Sequence, residues 1–340
     1  MAILFADGFD HYALSDLGKK YDVVNAIADL STAYGRFGSQ GIKFTSTGQY
    51  LIKNLPASKS ILVVGAAIYL PNLPPATGLP IFQFADNGNR QDYLRINPEG
   101  SIELMRGAYG NSGTSVAKSL PGIIRAQTWQ YIECMIVINS ITGSVEVHVN
   151  EQTVMKAIGI NTQTTANAYV TQVQIGYVDV VSYAITWYCD DLLIDDANFH
   201  GDIRIETVLP NAAGNYAQWT PVGATANYAC VNETPPNGDT TYISSSTVGA
   251  IDSFQKPAIP TNAGSIMGVI VNMCARKDDA NIRQIAALTR QNLTDYVGNT
   301  ITIGDSYIYY QQIWETNPAT TTAWTISAVN GAEMGVKVIA

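Results

Sequence analysis

Ile81-Phe82-Gln83-Phe84, then Asp86-Asn87-Gly88-Asn89, then Tyr93-Leu94-Arg95-Ile96 read as two strands around a tight turn. Asn-Gly at the centre supplies the two positive φ angles of a two-residue hairpin, whose twist then matches that of its strands. Asn97-Pro98-Glu99-Gly100 turns the chain again into Ser101-Ile102-Glu103-Leu104-Met105. Further out, Val145, Val147 and Val149 alternate with Glu146, His148 and Asn150, and a turn around Ser140-Ile141-Thr142-Gly143 joins this run to 134–138. Val173 and Ile175 alternate with Gln172 and Gln174, and Val269 and Val271 keep the same period. A period of two in short runs, with turn residues between them, specifies strands buried on one face. The expected fold is all-β, built of antiparallel sandwiches rather than a parallel α/β sheet.

Helix is expected in one place, Asp16 to Leu30, where Leu17, Tyr21, Val24 and Ala28 recur at helical spacing. Asp278 to Gln291 stays open. Its propensity is helical, yet Arg283, Ile285, Ala287 and Thr289 would equally line one face of a strand.

The 340 residues carry 28 acidic against 19 basic side chains, a formal charge of −9, and only 14% of them are charged. Ordinary soluble domains carry about 25%, so Tyr, Thr, Asn, Gln and Ser must supply much of the polar exterior. An apolar content of 46% excludes an intrinsically disordered chain. With no basic run, the sequence argues against nucleic acid and against an anionic membrane surface. The longest apolar run, Ile61 to Leu70, stops at Pro71, short of the ~20 residues of a spanning helix. Asp7 interrupts the first apolar stretch too early for a signal peptide.

Cys134, Cys189, Cys230 and Cys274 have neither zinc-knuckle nor redox-pair spacing. Buried free thiols in strands are expected, in a chain that folds in a reducing cytoplasm. His11, His148 and His200 lack ligand spacing. No cofactor is expected. The length suggests two domains, divided near residue 200 after Asp190-Asp191-Leu192-Leu193-Ile194-Asp195-Asp196, which gives 1–200 and 201–340.

Three stretches of the first domain resemble a known family. Asp7-Gly8-Phe9-Asp10-His11-Tyr12 with Gly35-Arg36-Phe37-Gly38 resembles the opening of tailed-bacteriophage virion proteins with a laminin-G/concanavalin-like sandwich. Trp129-Gln130-Tyr131-Ile132-Glu133 and Gly143 to Asn150 look like paired strands of that fold, and Asp190 to Ile194 is similar to its closing strand. In the second domain, Gly201-Asp202-Ile203-Arg204-Ile205, Thr234 to Tyr242, Ala275 to Asp279 and Ile313 to Pro318 resemble a C-terminal module of the same phage proteins. The resemblance implies two tandem antiparallel β-sandwiches, a laminin-G/jelly-roll-like one at 1–200 and a smaller one at 201–340. It also implies a non-enzymatic component of the virion, on the tail or capsid surface, made in the host cytoplasm. Its partners would be other virion proteins and copies of itself. The competing expectation is a host-attachment module that binds surface polysaccharide at the sandwich rim.

Four sets of residues invite chemistry. Glu146-x-His148-x-x-Glu151 is similar to the catalytic spacing of concanavalin-like endoglucanases, but His stands where an assisting Asp belongs. Residues 146 and 151 also have opposite strand parity, so a glycan hydrolase ranks third. Asp190, Asp191, Asp195 and Asp196 are candidate Ca²⁺ ligands, against the plainer reading of polar ends on one strand. Gly35-x-x-Gly38-x-x-Gly41 lacks the Lys-Ser/Thr of a phosphate loop and reads as a tight turn. Tyr307, Tyr309, Tyr310 and Trp314 are candidates for a subunit contact or a sugar-stacking platform.

Overall fold

The Asn87–Gly88 turn forms with φ of 45° and 81° and joins antiparallel strands Leu79–Asp86 and Asn89–Ile96. The computed structural model describes residues 2–75, 77–107, 113–177, 185–260 and 264–340. It is nearly all β, 50% strand and 6% helix, and every strand pairing among the described residues is antiparallel. The chain divides into two compact units. One holds residues 1–10 and 14–206; the other holds 11–13 and 207–340. The division therefore falls six residues beyond the expected boundary, because 201–206 is tied to the first unit by its carboxylates.

In the first unit an eight-stranded sheet runs in the order Gln152–Ile160, Gly143–Val149, Trp129–Val137, Ile61–Tyr69, Trp187–Asp195, Gly41–Phe44 and Asp29–Ser31. Strand Ile3–Asp7 also pairs with Trp187–Asp195. A seven-stranded sheet runs Thr114–Lys118, Ile102–Arg106, Asn89–Ile96, Leu79–Asp86, Val170–Gly176, Tyr50–Lys59 and Val23–Asn25. Alternation places Val145, Val147 and Val149 in the core, while Glu146 and His148 stay half-exposed on the outer face. Cys134 is buried in step with Ile132 and Ile136, as its strand parity requires.

The apolar run at 61–70 has a different cause. Strand Ile61–Tyr69 lies in mid-sheet and is buried at every residue from Leu62 to Ile68, so both of its faces must be apolar or small. Gly65 is part of this. A Cβ there would meet the Tyr131 hydroxyl at 2.9 Å and Glu133 Cγ at 3.0 Å.

Two expectations need correction. Asp16 to Leu30 is not a helix: a 3-10 turn at Leu14–Lys19 gives way to strands Val23–Asn25 and Asp29–Ser31. Leu17 and Tyr21 are indeed buried together, but Gly18 and the β-branched Val23-Val24 weaken a helix. Pairing with Tyr50–Lys59 and Gly41–Phe44 then decides the outcome. The cysteines are free, but only Cys134, Cys189 and Cys230 are buried. Cys230 sits in the 3-10 turn Asn227–Cys230, and Cys274 is a half-buried strand residue.

The second unit is built on a six-stranded sheet, Ala212–Ala217, Ile251–Gln255, Glu333–Val338, Arg283–Gln291 and Thr294–Val297, with Ile301–Ile303 also on Arg283–Gln291. The open segment 278–291 is thus a strand from Arg283, with Ile285 to Thr289 all buried. A two-stranded ribbon, Val269–Ala275 with Ile308–Trp314, stands apart from this sheet. Met273 from the ribbon packs with Ile285, Ala287, Ile303 and Val336, and Trp219, Val271, Tyr310 and Trp314 close over this small core.

Candidate functional site

A carboxylate network holds segment 199–206 on the outer face of the eight-stranded sheet. Glu133 accepts the backbone N–H groups of His200 (2.7 Å) and Gly201 (3.0 Å). Asp191 accepts the N–H of Ile205 at 2.7 Å and pairs with the Arg36 guanidinium at 3.2 Å. Arg36 also reaches Asp202 (2.8 Å) and the Ile203 carbonyl (3.2 Å). His148 stacks on Phe199, ring centroids 3.8 Å apart. Arg36 is delivered by the glycine-spaced loop, which is a tight turn: at Gly35 and Gly41 a Cβ would collide with the loop's own backbone.

The proposed Ca²⁺ ligands are engaged in this network. Asp190 accepts the N–H of Arg36 and the Ser39 hydroxyl, both at 2.8 Å. Asp195 accepts the N–H groups of Ala197 and Asn198 and meets His200 Nε2 at 2.9 Å. Asp196 accepts the N–H of Ala2 and pairs with Lys59. Protein donors thus occupy the oxygens a cation would need, and no cluster of three or more acidic, His or Cys side chains with metal-site geometry occurs among the described residues. Burial first and then the charge of Asp191 push the Asp190 carboxyl up to about 7, and burial pushes that of Asp191 up to about 6. Asp10, half-buried and bonded to the Gln40 N–H, is raised to about 6, chiefly by desolvation.

Glu146 does not resemble a catalytic acid. Lys156 (2.7 Å) and His148 (3.0 Å) hold its carboxyl below the usual range. Glu151 sits in the hairpin turn with φ of 67°, and its carboxylate accepts the Asp202 N–H at 3.5 Å.

The four aromatic candidates do not share one exposed platform. Tyr309 is buried beside His11 and Tyr12, with ring centroids at 5.3 and 5.7 Å. Tyr310 and Trp314 pack on the small core. Tyr307 precedes the strand, donates to Asp239 at 2.7 Å and lies under the Arg276 guanidinium.

The structure assembles a different aromatic set on the outer face of the eight-stranded sheet. Trp129, Tyr69, Tyr188 and Lys43 are direct cross-strand partners on four successive strands. Ring centroids are 5.5 Å apart for Trp129–Tyr69 and 5.7 Å for Tyr69–Tyr188. Tyr34, from the glycine-spaced loop, stacks on Tyr188 at 5.1 Å and 8°. The Lys43 ammonium lies 4.8 Å from the Tyr34 ring centroid. All five residues are half-buried. Beside them opens a cleft of about 480 Å³ lined by Lys43, Pro71, Asn72, Ile185, Thr186 and Tyr188. Sequence reading missed this set because its members lie 9 to 60 positions apart along the chain, on different strands and a loop. The available signal was an aromatic residue at the same outer end of each strand.

No protein-family model and no curated protein matches this chain. Among solved structures it is similar to the alginate lyase Aly36B, with 15% identity, 61% of this chain, 100% of that chain and a TM-score of 0.39. It is similar to a Trypanosoma rangeli sialidase at 14% identity, 47% of this chain, 26% of that chain and a TM-score of 0.33. The receptor-binding domain of botulinum neurotoxin type G gives 9% identity, 86% of this chain, 76% of that chain and a TM-score of 0.37. The first two are enzymes of β fold; likeness at this level transfers no chemistry to this chain.

Proposed function

We propose that this chain is a non-enzymatic structural component of a tailed-bacteriophage particle, on its tail or capsid surface, acting through contacts with copies of itself and with neighbouring virion proteins. The observation that carries this reading is a row of three apolar side chains and one serine on the outer face of the eight-stranded sheet. Ile61, Val137, Ser144 and Ile158 are in direct register on four successive strands. Ile61 is 39% exposed and Ile158 75%, and Ile141 in the adjoining turn is 76% exposed. Clustered apolar side chains left in water at a sheet margin mark an interaction surface. The outermost strand, Gln152–Ile160, pairs on only one side among the described residues, and a free strand edge can accept a further strand. The resemblance of both halves to phage virion proteins and the scarcity of charge support the same reading. Repeated copies in a symmetric array can reuse one such surface.

Charged residues in the row test it. Ile141→Asp with Ile158→Lys is expected to reduce incorporation into particles at least tenfold against a co-expressed wild-type copy, with the melting temperature of the isolated protein within a few degrees of wild type. Both side chains are mostly solvated, and exposed substitutions change stability by about 0.5 kcal/mol or less. Unchanged incorporation of the double variant would remove this surface from the account.

A further inference from the structure

The row Trp129–Tyr69–Tyr188–Tyr34 combines aromatic rings with a cation, Lys43, that makes no ion pair among the described residues. We infer that it binds a chain of carboxylated sugars, an anionic polysaccharide of the uronate type. This assignment is independent of the assembly reading, which rests on the opposite end of the same sheet face.

Geometry supports an extended ligand. From Trp129 to Lys43 the row crosses three inter-strand spacings, about 14 Å, which suits an oligosaccharide rather than one sugar. Chemistry supports a sugar. Tyrosine and tryptophan combine an apolar ring with a polar tip, and pyranose rings combine apolar C–H faces with hydroxyl edges. The phenol oxygens of Tyr69 and Tyr188 have no hydrogen-bond partner among the described residues, and neither is a buried orphan. They are free to bond hydroxyls. The cleft beside them mixes hydrogen-bonding Asn72 and Thr186 with apolar Pro71 and Ile185, which a saccharide matches better than a wholly apolar partner would.

Charge supports a carboxylated sugar. Lys43 makes no ion pair among the described residues; its ammonium donates only to the Tyr34 hydroxyl, at 3.4 Å. Its cross-strand neighbour Asp29 is turned to the N–H of Leu30 at 2.8 Å. Among the described residues Lys43 is therefore a half-buried cation without a carboxylate partner, at the lip of this aromatic row. Charge-assisted bonds are the strong ones, and a uronate would supply the missing partner.

The test uses the full chain, a hexamer of galacturonate, and a neutral glucose hexamer of equal length, by calorimetry and tryptophan fluorescence. Saturable binding of the uronate is expected, at least tenfold tighter than that of the neutral hexamer and weakened by salt. Lys43→Gln is expected to lower uronate affinity about tenfold and leave neutral binding unchanged, with Lys43→Arg restoring most of it. Tyr188→Ala is expected to weaken both ligands, whereas Tyr188→Phe, which keeps the ring, retains more than half of the affinity and checks against misfolding. No saturable binding, equal affinity for both hexamers, or indifference to Lys43→Gln and Tyr188→Ala would overturn the inference.

Discussion

Replacing Lys20 by Met lowers the stability of the first unit by about 3–5 kcal/mol, the range for stranding one partner of a buried ion pair. Lys20 and Asp7 side chains are 1% and 0% exposed, and their charges meet at 2.8 Å. Asp7 also accepts the Tyr21 hydroxyl at 2.8 Å and the Phe9 N–H at 3.0 Å, so it anchors the first strand and the 3-10 turn that follows. Without the ammonium, the buried carboxylate loses its 2.8 Å ion pair. Changing Asp7 to Leu in the same chain should recover much of the loss, because apolar replacement of a whole buried pair is often close to neutral. Denaturant titration of the two variants checks this. A loss below 1 kcal/mol for Lys20→Met would mean that the pair contributes little.

Asp92→Leu should have the opposite sign. Asp92 is fully buried in strand Asn89–Ile96, and neither carboxyl oxygen has a hydrogen-bond partner among the described residues. Arg106 is its cross-strand neighbour without bonding to it. Burial drives the Asp92 carboxyl well above its ordinary range, with Arg106 only partly opposing this. An unsatisfied buried polar group costs about 1–3 kcal/mol, so the expected gain is of that size. The pH dependence follows from linkage. A carboxyl raised in the folded state binds its proton there more tightly than in the unfolded chain. Its favourable contribution is complete below about pH 4 and is lost as pH rises through the folded value. Asp190, near 7, and Asp191, near 6, add the same trend. Wild-type stability should therefore fall between pH 4 and pH 7, and Asp92→Leu should be least different from wild type at the acid end. A destabilised Asp92→Leu at pH 7 would show that the carboxyl has a role in the fold.

Much of the fold was legible because its signals are local. Asn87-Gly88 sets its own backbone, and Val145, Val147 and Val149 carry their period within seven residues. The first helix was misread for a related reason: Leu17 and Tyr21 fit one helical turn, but the pairing of Val23–Asn25 with Tyr50–Lys59 is set by tertiary contact. The aspartates at 190, 191, 195 and 196 were visible as a cluster, whereas distant Arg36, Ser39, Ala2 and Lys59 supply several of their donors. The same holds for Tyr307, Tyr309, Tyr310 and Trp314. Neighbours in sequence, they part in space because strand alternation sends Tyr309 one way and Tyr310 the other. The row of Trp129, Tyr69, Tyr188 and Tyr34 arises only once three strands have taken their register and the glycine-spaced loop has folded beside them.

The central claim is that this chain is built into a virus particle. It is tested most directly by purifying intact particles from infected cells, measuring the chain by quantitative mass spectrometry, and locating it by electron cryomicroscopy. A fixed number of copies per particle is expected, in symmetric density at the tail or capsid surface, with the 61–137–144–158 row facing a neighbour. Its recovery only in the soluble lysate, with none in purified particles, would contradict the account.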